Sequence, residues 1–277
     1  MGKKPDLLLK YYREVTKSKD LHFGYWEKGE ELDMKHLLLA QDRYADHLLS
    51  FVPAGVKTVL DVGCGVGGNA ARLTQKGYDV TSLSPDPYQE GEFRKNTGGR
   101  VPFILSKFED LRTDKKFDLI FMAESVQYID TVRGFEKSRR LLKKGGHILA
   151  CDYFREEGVK DGAIMFAGRY HRDYLAQAQR HGFKIVKSED ITDRVSPSFD
   201  FMASLYYTYI IPSFKIVAYA IEVYIPFFYK VVRLLLRKPF KKILEKSLID
   251  SKTFARYRRY MIYLFQLQDE GVPPTDR

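Results

Sequence analysis

The run Leu60-Asp61-Val62-Gly63-Cys64-Gly65-Val66-Gly67-Gly68 gathers glycines behind a single carboxylate. Glycines there let a backbone turn tightly and approach a ligand with no Cβ in the way. Asp61 stands just ahead of the first glycine, at the carboxyl end of the strand that Thr58, Val59 and Leu60 begin. A carboxylate in that place suits the ammonium of an amino-acid moiety better than a pyrophosphate. The loop also lacks the Lys-Ser/Thr ending of a phosphate-binding P-loop. The bland alternative is a glycine turn that binds nothing.

A loop of this kind needs strands and helices to hold it. Short β-branched runs alternate with helical stretches: Thr58 to Leu60, Asp79 to Leu83, Phe117 to Phe121 and His147 to Cys151. Gly145-Gly146 turns the chain into the fourth of these, and His181 to Val186 reads as a helix end leading into a further strand. Strands separated by helices predict an α/β fold, a Rossmann-like, mostly parallel sheet with helices on both faces. The expected organisation is an N-terminal helical lid over 1–50, the sheet domain over 51–200 with strands from about Thr58 to Asp190, and a C-terminal helical region over 201–277.

Val59 to Gly68 closely resembles motif I of the class I S-adenosylmethionine (SAM) dependent methyltransferases. Phe117-Asp118-Leu119-Ile120 looks like that family's fourth strand, and Leu141 to Leu149 like the segment before its fifth. The resemblance covers about the first 200 residues and implies SAM as cofactor, with Asp61, Gly63 and Gly65 in its binding site. A finer likeness is to the sterol, tocopherol and small-molecule branch. Leu21-His22-Phe23-Gly24-Tyr25-Trp26 resembles that branch's His-x-Gly-Tyr-Trp segment, and Glu124-Ser125-Val126-Gln127-Tyr128 its Glu-Ser-x-Glu-His segment. The branch implies Ser84 and Gln89 for the ribose, with Asp86 as the fallback acid, and the backbone of Phe108 for the adenine. Two positions depart from the pattern. Lys107 stands where an adenine-contacting Asp is usual, and Gln127 replaces the Glu of the bicarbonate site of cyclopropane-forming relatives, which argues against cyclopropanation.

Methyl transfer from a sulfonium needs a nucleophile held in line with the S–CH₃ bond, so positioning can supply much of the catalysis. General-base help depends on the acceptor. The implied fold places His22, Tyr25, Glu124, Gln127, Tyr128, Tyr170 and His171 around the carboxyl ends of the strands, the usual ligand crevice. Of these, Glu124, Tyr25, His22 and Tyr128 are the catalytic candidates, and Tyr25 is also a cofactor-binding candidate. No metal-ligand spacing surrounds Cys64 or Cys151, so no metal is expected, and two free thiols fit a reducing cytoplasm. Met1 to Asp6 has no apolar signal-peptide core.

The chain of 277 residues carries a formal net charge of +10, and residues 201–277 hold 13 Lys and Arg against 6 Asp and Glu. The same stretch holds 16 Phe and Tyr residues. Leu205 to Tyr229 is apolar and aromatic but interrupted by Pro212, Lys215, Glu222 and Pro226, which predicts two helices parting near Pro226 rather than one membrane span. Its aromatic residues either cap the sheet or form an apolar substrate pocket. Lys230, Arg233, Arg237, Lys238, Lys241 and Lys242 would then face anionic headgroups. The expected partners are a lipophilic small molecule (isoprenoid, sterol-like or lipid) and a membrane surface touched from the cytoplasmic side. Nucleic acid is the weaker reading, since no RNA-recognition signature is visible. N- or O-methylation of a soluble metabolite and a membrane-tethered SAM binder without turnover are the alternatives.

Overall fold

The computed structural model describes residues 14–16, 18–157, 168–227 and 249–268. Its centre is a sheet built on β1 (Thr58–Val62), β2 (Asp79–Ser84), β3 (Phe103–Leu105), β4 (Phe117–Ala123) and β5 (Leu142–Arg155), all parallel. β6 (Arg169–Tyr170) pairs with the end of β5. β7 (Phe183–Asp190) and β8 (Arg258–Leu267) complete the order β3-β2-β1-β4-β5-β8-β7. The near-continuous burial of β1, β2 and β4 is what a parallel sheet covered on both faces demands. Asp118 fixes the register at the amino ends: its Oδ2 accepts from Lys57 N, Thr58 N and Thr58 Oγ1 at 2.8–3.0 Å.

One sheet face carries Val59, Leu119, Phe121, Leu149, Cys151 and Ile262. Against it lie α1 (Met34–Leu49), α2 (Gly68–Gln75) and α3 (Pro87–Asn96). The other face carries Leu60, Ile120, Ile148 and Phe265, and meets Phe135 of α4 (Thr131–Leu141) and Tyr174 of α5 (His171–Arg180). After β7 come the short α6 (Thr192–Val195), then α7 (Pro197–Leu205), a π-helical turn over Tyr206–Ile210, and α8 (Ile211–Tyr224). Among the described residues the last helix is α9 (Ser251–Tyr257), which leads into β8.

Three expectations need correction. The C-terminal region is not helix throughout, because β8 begins at Arg258 and runs antiparallel between β5 and β7. Tyr260, Ile262, Tyr263, Leu264 and Phe265 are buried, and aromatic and branched side chains packed on both faces favour a strand. The sheet therefore does not end at Asp190, and 201–277 is not wholly helical. Among the described residues of 1–50, helix is found at 14–16 and over Met34–Leu49, and between them Ser18 to Asp33 is an extended and turning segment laid over the domain. Third, the aromatic residues of α8 do not cap the sheet, since no residue of that helix is buried. Phe228, Tyr229 and the basic positions from Lys230 to Lys242 lie outside the described residues.

Candidate active site

The glycine loop leaves β1 at the carboxyl edge of the sheet, where the strand order reverses between β1 and β4. Gly63 and Gly65 have φ of 76° and 54°, a region where a side chain is strained. Gly63 also packs against Ser125, whose Oγ donates to Val62 O at 2.7 Å. A Cβ on Gly63 would lie 2.5 Å from Ser125 Cβ. Beneath the loop, Asp61 is 2% exposed, and the one hydrogen bond to its carboxylate among the described residues is a long 3.4 Å contact from Ser82 Oγ. Burial pushes its pKa up to about 7. A buried carboxylate so poorly partnered is a ready acceptor for a cationic ligand group.

At the end of β2, Ser84 Oγ donates to Gln89 Oε1 at 2.8 Å, so the two ribose candidates stand together. Asp86 is instead the N-cap of α3, accepting from Tyr88 N at 3.0 Å. The Phe108 side chain is buried in the core, which leaves its backbone to serve a ligand.

The N-terminal segment crosses this edge. Leu21 Cδ1 lies against Gly65, and the Asp20 carboxylate crowds Gly68 at the amino end of α2. Arg72 of α2 clamps Asp20 with two hydrogen bonds of 2.7 and 2.8 Å. Burial would raise the Asp20 carboxyl, but the charges of His22 and Arg72 hold it well below the usual range. His22 Nε2 lies 3.4 Å from Asp20 Oδ1, an ion pair rather than a well-formed hydrogen bond, and its ring stacks on Tyr44 at 4.4 Å. Burial alone would lower its pKa; the Asp20 carboxylate outweighs that and raises it.

Glu124 follows β4 directly, with φ 55°, and is the non-glycine residue of positive φ among those described. Its Oε1 accepts from Phe23 N at 3.0 Å and from the Tyr260 hydroxyl, tying lid, β4 and β8 at one point. Burial raises its pKa, against the pull of His22, Tyr260 and Phe23 N. The Tyr260 hydroxyl also meets that of Tyr44, which donates to Cys151 Sγ at 3.0 Å. Next to it, Asp152 is buried, accepts from Gln127 N and Tyr153 N, and is pushed up to about 8 by burial. Over these groups lies an aromatic roof. Phe23 lies 4.8 Å from Phe199 of α7, which stacks at 4.3 Å on Phe254 of α9.

The structure thus brings Asp61, Gly63, Gly65, Ser84, Gln89, His22, Glu124 and Gln127 to one edge. Tyr25, Tyr128, Tyr170 and His171 have other surroundings. The Tyr25 ring packs on His47 at 4.8 Å and under Arg194, beside α1 and α6. Tyr128 is 80% exposed. His171 stacks on Phe154 and bonds Tyr263, and Tyr170 lies under Arg155, both beside β6. Asp20, Tyr44, Asp152, Phe199, Phe254 and Tyr260 escaped the sequence reading. Tyr260 lies 136 residues from Glu124, and nothing local signals that contact.

Residues 60–150 match the family model described as a methyltransferase domain. A sterol 24-C-methyltransferase (ERG6B) of Gibberella zeae is 31% identical over 196 residues, covering 63% of this chain and 50% of that protein. A ubiquinone biosynthesis O-methyltransferase of Rickettsia felis is 25% identical over 142 residues, covering 49% of this chain and 56% of that protein. The chain therefore spans about half the length of these curated relatives. Among solved structures, geranyl diphosphate C-methyltransferase from Streptomyces coelicolor A3(2), in complex with Mg2+, geranyl diphosphate and S-adenosyl-L-homocysteine, superposes with a TM-score of 0.64 at 14% identity. That likeness covers 94% of this chain and 96% of the other, and it concerns the fold. The motif I loop at the switch point of this sheet lies within residues 60–150, where the chain carries a methyltransferase domain with the fold of the class I SAM-dependent enzymes.

Proposed function

We propose that the chain is a SAM-dependent methyltransferase whose acceptor is a lipophilic small molecule, of isoprenoid, sterol-like or lipid character, met at or near a membrane. The observation that carries this reading is the buried, poorly partnered Asp61 beneath Gly63 and Gly65, with the aromatic roof held by Glu124 through Phe23. The residues present fit SAM: Asp61 would take the ammonium, Ser84 and Gln89 the ribose, and the Phe108 backbone the adenine. When bound, SAM supplies an electrophilic methyl group on a sulfonium. The protein's share is orientation and exclusion of water. Leu21 and Asp20 cover the glycine loop, and the Glu124 latch holds Phe23 over the carboxyl ends of the strands. His22 is held towards its cationic form by Asp20, which makes it a poor base and a good anchor. Holding the acceptor in line is then the main contribution to rate. The sterol and geranyl diphosphate methyltransferases similar to this chain support a lipophilic acceptor.

O-methylation is the second reading, favoured by the similarity to ubiquinone biosynthesis O-methyltransferases. Calorimetric titration with SAM and S-adenosylhomocysteine, on wild type and Asp61→Ala, is the direct test. Binding that the substitution abolishes supports the cofactor site, and methyl transfer to fractionated lipid extracts then identifies the acceptor. A well-folded wild type that binds neither compound sinks the proposal.

A further inference from the structure

The 14 residues of α8 (Ile211–Tyr224) include none that is buried. Ile216 is 70% exposed, Tyr219 68% and Tyr224 83%, and Val217, Val223 and Ile225 are exposed as well. The only charges in the helix are Lys215 and Glu222. Seven residues apart, they fall about 20° from each other around the axis and form one narrow stripe. The rest of the circumference is apolar or aromatic. A helix packed on a globular partner needs an apolar stripe on one side only. One apolar nearly all round is stable only where most of its circumference leaves water.

We propose that α8 is a membrane-docking helix that lies in the interface of a bilayer containing anionic lipids. Lys215 and Glu222 fall in the middle and last turns of its apolar surface, which sets the helix in the interface rather than across the hydrocarbon core. Among the described residues, no helix is long and apolar enough to cross a membrane. Lys215 and Glu222 turn to the headgroups, and Tyr219, about 40° from Lys215 around the axis, belongs at that depth. A second copy of the chain would cover one side and leave the other apolar surface in water. The charge balance favours lipid too, with 13 Lys and Arg against 6 Asp and Glu in residues 201–277.

The helix is rooted in the candidate site. Before the π-turn, α7 buries Phe199 and Phe201, and Ser198 Oγ accepts from Gly24 N at 3.1 Å and Trp26 Nε1 at 2.8 Å. Phe199 belongs to the aromatic roof itself. Docking α8 therefore turns the roof towards the bilayer, and a lipophilic acceptor arrives from the membrane rather than from water. This last point rests on the proposed function; the docking does not.

The test is flotation of the full-length protein with vesicles of phosphatidylcholine alone and of phosphatidylcholine with phosphatidylserine. Wild type floats with both and more strongly with the anionic mixture. The double variant Val217→Asp with Tyr224→Asp loses roughly tenfold or more in partitioning, because each change sets a charge opposite the Lys215 and Glu222 stripe, on the inserted face. Both side chains are exposed in the protein, so its SAM titration stays that of wild type. In Tyr219→Trp, indole emission shifts to the blue on vesicles and is quenched by brominated acyl chains. Wild type that floats with neither vesicle, or a double variant that floats like wild type, overturns the proposal. So does a dimer in light scattering that the double variant dissociates, since a second copy is then the occupant. Absent SAM binding with intact flotation overturns the proposed function instead.

Discussion

Half the charge of a carboxyl with a pKa of about 7 is gone at neutral pH, and Asp61 is such a group. Its native pKa lies above the unfolded one. The native state therefore holds a proton that the unfolded chain has released between about pH 4 and 7, and stability falls as pH rises through that window. Ligand binding runs the other way. Only the ionised carboxylate can pair with an ammonium, so affinity for SAM is expected to drop about tenfold between pH 8 and pH 6. Calorimetry across that range checks the slope, and Asp61→Asn, which cannot ionise, should bind weakly with a flat profile. Equal slopes in the two proteins would show that some other group sets the dependence. The neighbouring ion pair responds with the usual signs. Asp20, held low, contributes stability that is lost as pH falls; His22, held high, contributes stability that is lost as pH rises.

The loop between β1 and α2 is an element fixed by backbone geometry more than by side-chain contacts. Gly63 has both a left-handed φ and a neighbour, Ser125, where its Cβ would go. Gly29 shares the sign of φ, at 78°, but has nothing within 4 Å of its Cβ position. Gly29→Ala should therefore cost only the backbone term, about 1–2 kcal/mol. Gly63→Ala should cost at least about 1 kcal/mol more, since Ser125 must shift and with it the bond to Val62 O. Urea unfolding of both variants separates the two terms. Equal costs would mean that Ser125 yields freely and that the close approach does not matter.

For the whole molecule, β8 decides how the chain closes. It pairs with β5 over nine residues, from His147↔Gln266 to Arg155↔Arg258, and with β7 on its other side. Phe265 is fully buried there, and Phe265→Ala should lose about 3–5 kcal/mol. Tyr224, on α8, is almost wholly exposed, and Tyr224→Ala should stay within about 0.5 kcal/mol. Thermal unfolding of the two variants distinguishes a C-terminal region that is partly core from one that is uniformly an appendage. Similar small losses would contradict the placement of β8.

The glycine loop, five of the strands and the run His22 to Trp26 are legible in sequence because their requirements are local. Glycines with left-handed φ, β-branched runs between helices and a carboxylate ahead of a turn are properties of consecutive residues. The partners of those residues are not. Glu124 meets Phe23 and Tyr260, and Gly24 and Trp26 meet Ser198, across 101 to 174 positions of chain. Tyr25 shares a sequence motif with His22, yet its ring turns to His47 and away from the crevice. The C-terminal stretch expected to be helical holds a strand, β8, that pairing on both sides fixes. Likewise the aromatic stretch from Leu205 could cap the sheet or leave it, because hydrophobicity fixes what leaves water and not what covers it. Which surfaces meet is set by long-range packing, so the tertiary structure alone decided the latch, the roof and the exposure of α8.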